Sequence, residues 1–349
     1  MVSRIVGVDV GNDVLRAVEV ADFDKPRPTV LRYHQAVLPD GAVQRGEVIE
    51  PNTVAETLKH LWKTGGFTSK RVVLGVGNQR VFARELIVPR APLKHIREAL
   101  PFQVQDMLPV PVADALLDFY PVAEAVTDHG APGIRGLLVA AVKEAVANKV
   151  LAAKLAGLTV VDVDLVPFAV SRVLISRPGI GGGVVLIDIG ANTTSVVMTA
   201  DGVPQFVRII PAGGEDVTRA LVSELGMDAA QADAAKRRLG LATNVDPGDH
   251  PRAEVIHRVT GELINSLRNT VSFFANTRPD QAIGQVVLSG GGSYLAGLPD
   301  SLSRLTGLPV TLGDALAAVK VSPKLTGGDI GRDRVAISAA LGLAVGSAA

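Results

Sequence analysis

The chain has 349 residues, of which 47% are apolar and 20% are charged, and its formal net charge is zero. This length exceeds the size at which a single hydrophobic core usually stops growing, so at least two domains are expected. The balanced charge argues against a basic nucleic-acid-binding protein, and a chain without cysteine excludes disulfides, thiolate metal sites and cysteine catalysis.

The two ends of the chain predict neither a secretion signal nor a membrane span. Charges at Arg4, Asp9, Asp13 and Arg16 leave no room for the apolar region of a signal peptide. The apolar residues 335–349 are fewer than the about 20 that a transmembrane helix needs. We therefore expect a cytoplasmic protein without direct membrane insertion.

The first part of the chain predicts the order βββαβ. Strands and an amphipathic helix are indicated by periods of two and of about 3.6 residues in the apolar pattern. The expected elements are a strand–turn–strand unit at 5–20, a third strand at 29–38, a helix at 54–63 and a strand at 71–76.

Residues 81–156 predict a compact α+β subdomain. Pro101 is expected to kink or divide its first helix, because proline removes a backbone donor and clashes with the preceding turn. The expected elements are strands at 82–88, 116–122 and 137–142, and helices at 92–108 and 144–156.

The second half of the chain repeats the opening pattern of strands. A strand at 158–164 and a helix at 166–175 lead to the glycine-rich loop 178–183, where a second domain is expected to begin. A final apolar helix at 336–345 is expected to be buried. The other expected elements are strands at 184–189, 194–199, 205–210 and 285–289, and helices at 215–225, 228–239, 253–276 and 295–305.

Two apolar strands end in the same acidic turn, Asp9-Val10-Gly11-Asn12 and Asp188-Ile189-Gly190-Ala191-Asn192. The N–H groups of a glycine-containing turn form a concave nest that accepts phosphate oxygens. A carboxylate just before the turn can hold the water shell of Mg²⁺. One such turn often marks only a hairpin, but two copies favour a site for a phosphate and a metal.

Two further glycine clusters stand next to predicted helices. Gly213 and Gly214 precede a helix whose free N–H groups can face phosphate or ribose. The run Gly290-Gly291-Gly292-Ser293 follows a strand, and its small residues would let a purine lie against the backbone. The alternatives are a flexible helix entry for the first cluster and an ordinary strand-to-helix loop for the second.

Asp164 stands at the end of a predicted strand and before a helix. In that position it either orients or deprotonates an attacking water, or it caps the helix.

The order of these pieces resembles the actin-like ATPase superfamily. Within it, the inserted subdomain resembles that of the cell-division protein FtsA and, more closely, that of the type IV pilus assembly protein PilM family. Residues 86–89, 108–119 and 155–164 look like signatures of the PilM family.

The resemblance implies an α/β fold of the actin-like (ribonuclease H-like) two-domain ATPase type, with an inserted α+β subdomain of the SHS2 type. The first actin-like domain would comprise residues 1–80 and 157–180, joined by the C-terminal helix 335–347. The insertion would comprise residues 81–156 and the second actin-like domain residues 181–334.

The resemblance also implies that Mg²⁺ and ATP bind between the two acidic turns. Asp9 and Asp188 would hold the metal through water, and Asp164 is the candidate water-orienting base. The implied nucleotide-binding residues are Gly11, Asn12, Gly190, Ala191, Asn192, Gly213, Gly214, Asn265, Arg268, Gly290, Gly291, Gly292 and Ser293.

The implied function is an ATP-binding scaffold of type IV pilus assembly, in which nucleotide biases closure of a cleft. Its implied partner is the N-terminal cytoplasmic tail of a PilN-like inner-membrane protein, which would hold it at the inner face of that membrane. Leu86, Val88, Phe102 and Phe119 are candidates for the groove that binds this tail, and the alternative for each is a place in the hydrophobic core. Slow hydrolysis and self-association stay open, and the alternatives are an FtsA-like polymerising division protein or a small-molecule kinase.

Overall fold

The computed structural model describes residues 3–279, 281–325, 330 and 333–346. Within this part the chain forms a six-stranded sheet, a five-stranded sheet, a three-stranded sheet and a two-stranded hairpin. Residues 1 and 347, the predicted ends of the first domain and of its joining helix, lie outside the described residues.

The strands and helices follow the predicted order. The strands are β1 (Arg4–Val10), β2 (Val14–Ala21), β3 (Thr29–Val37), β4 (Val43–Gln44), β5 (Glu47–Val48), β6 (Arg71–Val76), β7 (Val81–Pro89), β8 (Ala115–Val126), β9 (Pro132–Val142), β10 (Thr159–Leu165), β11 (Gly183–Ile189), β12 (Thr194–Ala200), β13 (Val203–Ile210), β14 (Ile283–Ser289), β15 (Val310–Leu312) and β16 (Lys320–Val321). The helices are α1 (Pro51–Gly65), α2 (Leu93–Gln103), α3 (Lys143–Leu155), α4 (Val166–Ser171), α5 (Gly214–Leu225), α6 (Ala229–Leu239), α7 (His250–Thr277), α8 (Leu298–Thr306) and α9 (Ser338–Ala344).

The six-stranded and five-stranded sheets share one topology. In the first sheet the order is β10-β6-β1-β2-β3-β16, and in the second it is β13-β12-β11-β14-β15. Each sheet has three consecutive antiparallel strands, with further strands parallel to the first of them. The sequence repeat of strand, acidic turn and strand is therefore a repeat of structure.

Helices α4 and α9 pack between the two large sheets. Helix α9 contacts α4, β1 and β2, and α4 also contacts β11 and β12 of the second sheet. One continuous apolar core contains Ile5 of the first sheet, Leu186 of the second, and Val170 and Leu341 of the two helices, all fully buried. This shared core connects β1 to β11, since β1 packs on α9, α9 on α4 and α4 on β11.

The three-stranded sheet, in the order β7-β9-β8, carries α2 on one side. Its strand β7 packs against β13, the outer strand of the second sheet. Arg135 donates to Gln205 at 3.1 Å across this contact. The inserted sheet therefore contacts the second sheet directly.

Two predicted helices end at least four residues before the C-terminal end that the sequence pattern indicated. The helix predicted at 92–108 ends at Gln103, just after Pro101, and short 3₁₀ turns follow it. The helix predicted at 166–175 is α-helical only to Ser171 and continues as a wider turn over Arg172–Ser176. The first difference follows from the missing N–H of Pro101, which weakens the last turn.

Candidate functional site

The two acidic turns have the same local structure. The N–H of Gly11 donates to the carbonyl of Val14 at 3.1 Å, and that of Gly190 donates to Thr193 at 2.9 Å. Each glycine stands two residues after its aspartate, so both carboxylates lie at the same position relative to the turn. Both turns therefore close tightly at the same end of the two sheets.

The carboxylates of the two turns lie close enough to act on each other. Burial, aided by the charge of Asp9 and opposed by the hydroxyl of Ser289, raises the pKa of Asp188 to about 6. Burial likewise raises the pKa of Asp9, while Arg16 and Lys149 lower it. Because Arg16 lowers the pKa of both carboxyl groups, it lies within electrostatic reach of both turns.

The second turn packs against the N-terminus of α5. The N–H of Gly214 donates to Gly190 O at 2.9 Å, and that of Glu215 donates to Ala191 O at 2.8 Å. A Cβ atom on Gly213 would lie 2.4 Å from Ala191 O and 2.5 Å from Gly190 O. Only glycine at position 213 therefore allows this approach of the two backbones.

The glycine loop, residues 290–293, closes on the same turn. A Cβ on Gly290, whose φ is 80°, would lie 2.3 Å from Ile189 O, and one on Gly292 would lie 2.3 Å from Ile189 Cγ2. The hydroxyl of Ser293 donates to Gly290 O at 2.6 Å. Gly292 Cα is 3.9 Å from the Cβ position of Gly214, so both glycine clusters predicted from the sequence meet at the second turn.

Unpartnered polar atoms concentrate at the two turns. Among the described residues, eight buried side-chain nitrogen or oxygen atoms have no hydrogen-bond partner. Five of these belong to the turns or to the residues directly opposite the two aspartates: Asn12 Oδ1, Arg16 Nε, Asn192 Nδ2, Ser195 Oγ and Ser289 Oγ. Buried polar atoms are nearly always satisfied in folded proteins, so this concentration indicates a ligand site.

The first turn differs from the second in carrying an extra acid. Asp13 is exposed, and its Oδ1 accepts a hydrogen bond of 3.0 Å from Asn12 Nδ2. The Asp13 carboxylate is thus held by its neighbour at the exposed edge of the turn.

Asp164 is engaged in an ion pair. Its Oδ2 accepts from Arg172 Nη1 at 2.9 Å, and its Oδ1 accepts from the N–H of Leu165 at 2.7 Å. Helix α4 starts after Leu165 without a side-chain cap, so the capping alternative for Asp164 is wrong. In the first sheet Asp164 lies beside Gly75 of β6, the strand between β10 and β1.

Two predicted nucleotide residues lie apart from the others. Asn265 lines a surface cleft between α7 and α8, together with Ser301 and Arg304. Arg268 lines a neighbouring cleft on the same helix with Arg278. Neither cleft is lined by the acidic turns, by Gly213 and Gly214 or by the glycine loop. The two residues therefore line clefts that do not include the phosphate turns.

Two basic residues that the sequence analysis did not single out as site residues stand nearest to the first carboxylate. Arg16 lies directly opposite Asp9 in the β1–β2 hairpin. Lys149 of α3 is buried and donates to Gly75 O at 3.0 Å. Burial lowers the pKa of Lys149, whereas the negative charges of Asp9 and Glu47 raise it. Arg16 could have been predicted from the sequence, because it faces an aspartate across a two-stranded hairpin. No sequence pattern predicted the position of Lys149.

A third missed residue lies beside the N-terminus of α5. Lys236 of α6 donates to Gly214 O at 3.2 Å and to Thr218 Oγ1 at 2.8 Å, and it pairs with Asp233 at 2.8 Å. The pair places one cation and one carboxylate next to Gly214. The signal in the sequence was the basic run 236–238 in the last turn of an alanine-rich helix.

The four groove candidates divide into core and surface. Val88 and Phe119 are buried in the core of the inserted subdomain, and Leu86 packs against it. Phe102 is 80% exposed. Only Phe102 of the four thus presents most of its side chain to a partner.

Two classes of site find no support among the described residues. No cluster of three or more histidine or acidic side chains is placed to hold a metal, so protein side chains alone do not enclose one there. None of the described helices is both long and apolar enough to cross a membrane.

Comparison with known proteins decides the family. A sequence profile described as type IV pilus assembly protein PilM matches residues 7–348. The chain belongs to the PilM family. A solved structure described as the PilM-PilN type IV pilus biogenesis complex contains a similar chain, with a TM-score of 0.85 and 28% identity over 99% of this chain and 98% of that one.

Two further relatives extend the similarity beyond PilM. MreB 5 of Spiroplasma citri, in a structure bound to AMPPNP, has a TM-score of 0.52 at 12% identity, covering 88% of this chain and 91% of that one. The cell division protein FtsA of Bacillus subtilis (strain 168) is 30% identical over 109 residues, which are 31% of this chain and 25% of FtsA. The matched segment spans only a quarter of the length of that relative. The similarities confirm the predicted actin-like α/β fold and the predicted family.

Proposed function

We propose that this PilM-family protein binds Mg-ATP between its two acidic turns and acts as a scaffold in type IV pilus assembly. The observation that carries the nucleotide proposal is the set of five unpartnered buried atoms at Asn12, Arg16, Asn192, Ser195 and Ser289. A phosphate chain with its hydrated metal would supply the missing acceptors and donors. The glycine contacts around the second turn support it, because they leave backbone rather than side chains facing the ligand.

In this proposal each group of residues has one task. Asp9 and Asp188 hold Mg²⁺ through its water molecules, which suits a metal that keeps most of its hydration shell. Arg16 adds a planar fork of N–H donors for phosphate oxygens. The backbone of both turns, Gly11, Asn12 and Gly190 to Asn192, surrounds the phosphates. When bound, Mg²⁺ would neutralise part of the phosphate charge.

We place the nucleoside on the other side of the second turn. Gly213, Gly214 and the glycine loop line that side, and Lys236 with Asp233 offers a donor and an acceptor to ribose or base. Asn265 and Arg268 are left out of this proposal because they line other clefts.

The proposal includes slow hydrolysis with Asp164 as the water-orienting base. The ion pair with Arg172 opposes this role, because Arg172 and the N–H of Leu165 already donate to the two carboxylate oxygens. Asp164→Asn should reduce phosphate release from bound ATP; an unchanged rate would remove Asp164 from the mechanism.

We propose that closure of the two large sheets around the nucleotide alters the affinity for a partner. The proposed partner is the N-terminal cytoplasmic tail of a PilN-like inner-membrane protein, which keeps this protein at the inner face of that membrane. The similar chain in a PilM-PilN complex supports this choice. The domain boundaries at residues 80, 156 and 180 are part of the same proposal, because they separate the two sheets that close from the inserted subdomain.

Isothermal titration calorimetry with Mg-ATP tests the nucleotide proposal. The wild-type protein should bind, and Asp188→Ala should bind at least tenfold more weakly, about the effect of 1.4 kcal/mol. Asp24→Ala removes an exposed carboxylate outside the site and should leave the affinity unchanged. Absence of heat from the wild-type protein at any magnesium concentration would reject the proposal.

A further inference from the structure

The hydroxyl of Tyr33 on β3 contacts two polar side chains and lies within the electrostatic reach of a third. It lies 2.8 Å from Asp333 Oδ2 and 3.3 Å from Gln35 Oε1. Burial and Asp333 raise the pKa of this hydroxyl, and the positive charge of Arg16 on the neighbouring strand β2 lowers it. Tyr33 thus stands between the arginine of the first turn and a residue close to the C-terminal helix.

The sheet register explains how these side chains meet. Asp9, Arg16 and Gln35 lie directly opposite one another on the neighbouring strands β1, β2 and β3. Directly opposed side chains lie on one face of a sheet, and so do residues two apart on one strand. Tyr33 therefore lies on the same face as Asp9 and Arg16, one strand beyond Arg16.

Counting donors fixes the direction of the contacts. A phenol has one proton to donate, and the carboxylate of Asp333 is the stronger of its two acceptors. The oxygen of Tyr33 then turns its lone pairs to Arg16, which has only donors. Asp333 therefore holds the hydroxyl with its lone pairs free for a donor, and Arg16 Nε has no partner among the described residues.

Asp333 also belongs to a connection between the two large sheets. Its neighbour Arg334 donates to Asp314 Oδ2 at 3.1 Å. Asp314 follows Gly313, whose N–H donates to Leu288 O of the second sheet at 2.8 Å. Asp333 therefore contacts the first sheet through Tyr33, and Arg334 contacts the second sheet through Asp314. Both residues lie just before α9, which packs between the two sheets.

We propose that Tyr33 is a positioning residue that aims Arg16 at the phosphates of ATP and ties it to the connecting segment at Asp333. The inference rests on the proposed nucleotide function. Without the hydroxyl, the guanidinium would be free to swing onto the Asp9 carboxylate that it faces. Phosphate binding and the position of the segment at Asp333 are then linked through one hydroxyl group.

The test compares Tyr33→Phe with Tyr120→Phe. Tyr120 of β8 packs on Phe168 of α4 with ring centroids 4.8 Å apart and serves as the matched loss of a hydroxyl. By calorimetry, Tyr33→Phe should weaken Mg-ATP binding about tenfold, the effect of one hydrogen bond to a charged group, and Tyr120→Phe should bind like the wild type. Asp333→Asn, which keeps the size of the side chain, should weaken binding in the same direction, and thermal melting verifies that each variant is folded.

A double-mutant cycle with Arg16→Gln separates positioning from general damage. If Tyr33 acts through Arg16, Tyr33→Phe should cost no further affinity in the Arg16→Gln background. A full additional loss there, or wild-type affinity in Tyr33→Phe, would overturn the inference while the nucleotide site stands. If the wild-type protein binds no Mg-ATP, the proposed function fails and this inference fails with it.

Discussion

Arg172 connects Asp164 to the helix between the two sheets. The same Nη1 atom donates to Asp164 Oδ2 at 2.9 Å and to the carbonyl of Gly342 at 2.8 Å. The end of β10 is thereby fixed to α9. The residue that was the best sequence candidate for catalysis is therefore also part of the packing around α9.

Arg172→Gln should destabilise the protein by about 1–3 kcal/mol, because it leaves a half-buried carboxylate and a helix carbonyl without their charged donor. Arg97→Gln is the matched control, since Arg97 pairs with Asp118 on the open surface and should cost no more than about 1 kcal/mol. Urea denaturation of both variants measures the difference. Equal losses of unfolding free energy in the two variants would show that the Asp164–Arg172 pair stabilises the protein no more than a surface ion pair.

Asp188→Asn should make the nucleotide-free protein more stable at neutral pH. The native state raises the pKa of Asp188 from 3.8 to about 6, so ionising it there costs about 2–3 kcal/mol that the unfolded chain does not bear. The amide removes this cost and should also abolish magnesium-dependent ATP binding. Thermal melting with and without Mg-ATP checks both effects; a less stable variant would mean that the carboxylate supports the fold.

The stability difference between Asp188→Asn and wild type should depend on pH in a defined direction. Between pH 4 and 6 the native wild type holds a proton on Asp188 that the unfolded chain releases, so its stability falls as pH rises through this window. The advantage of the variant should be full above about pH 6 and absent below about pH 4. Chemical denaturation at pH 4, 5, 6 and 7.5 measures it, and an advantage that grows toward low pH contradicts the assignment.

Gly213→Ala should separate the second turn from α5. The new Cβ would lie within 2.5 Å of two carbonyl oxygens, at Gly190 and Ala191, and such overpacking typically costs about 1–3 kcal/mol. Mg-ATP affinity should fall with it. Gly261→Ala is the matched control, because its Cβ meets nothing within 4 Å in the middle of α7 and should stabilise the helix by about 0.5–1 kcal/mol. Thermal melting measures the stability of both variants and calorimetry measures their Mg-ATP affinity. Equal values for the two variants would contradict the prediction.

Phe102→Ser should weaken binding of the N-terminal tail peptide of a PilN-like protein and leave the melting temperature unchanged. Its side chain is 80% exposed, so its loss opens no cavity. Phe273→Ser removes another exposed phenylalanine, 58% exposed on α7, and should leave peptide binding as it is. Fluorescence anisotropy of a labelled peptide measures both; equal affinities for all three proteins would place the tail elsewhere.

Local features of the site were predictable because they depend on neighbours in the chain. The turns at Asp9 and Asp188 are hairpins whose apolar alternation and glycine spacing are visible in the sequence. The placement of Gly213 and of the glycine loop also followed from strand-to-helix order. Lys149 and Lys236 were missed because their partners stand 74 and 22 residues away in the chain.

The sequence alone determined the repeated strand order, the two acidic turns and the family, since these follow from short-range spacing and from the order of motifs. Tertiary packing alone decided that Asp164 is held by Arg172, that Asn265 and Arg268 face other clefts, and that Tyr33 meets Arg16 and Asp333. The physical reason is that a charged side chain selects its partner by distance after the sheets have packed. The 300 residues between Tyr33 and Asp333 leave no trace of that contact in either local pattern.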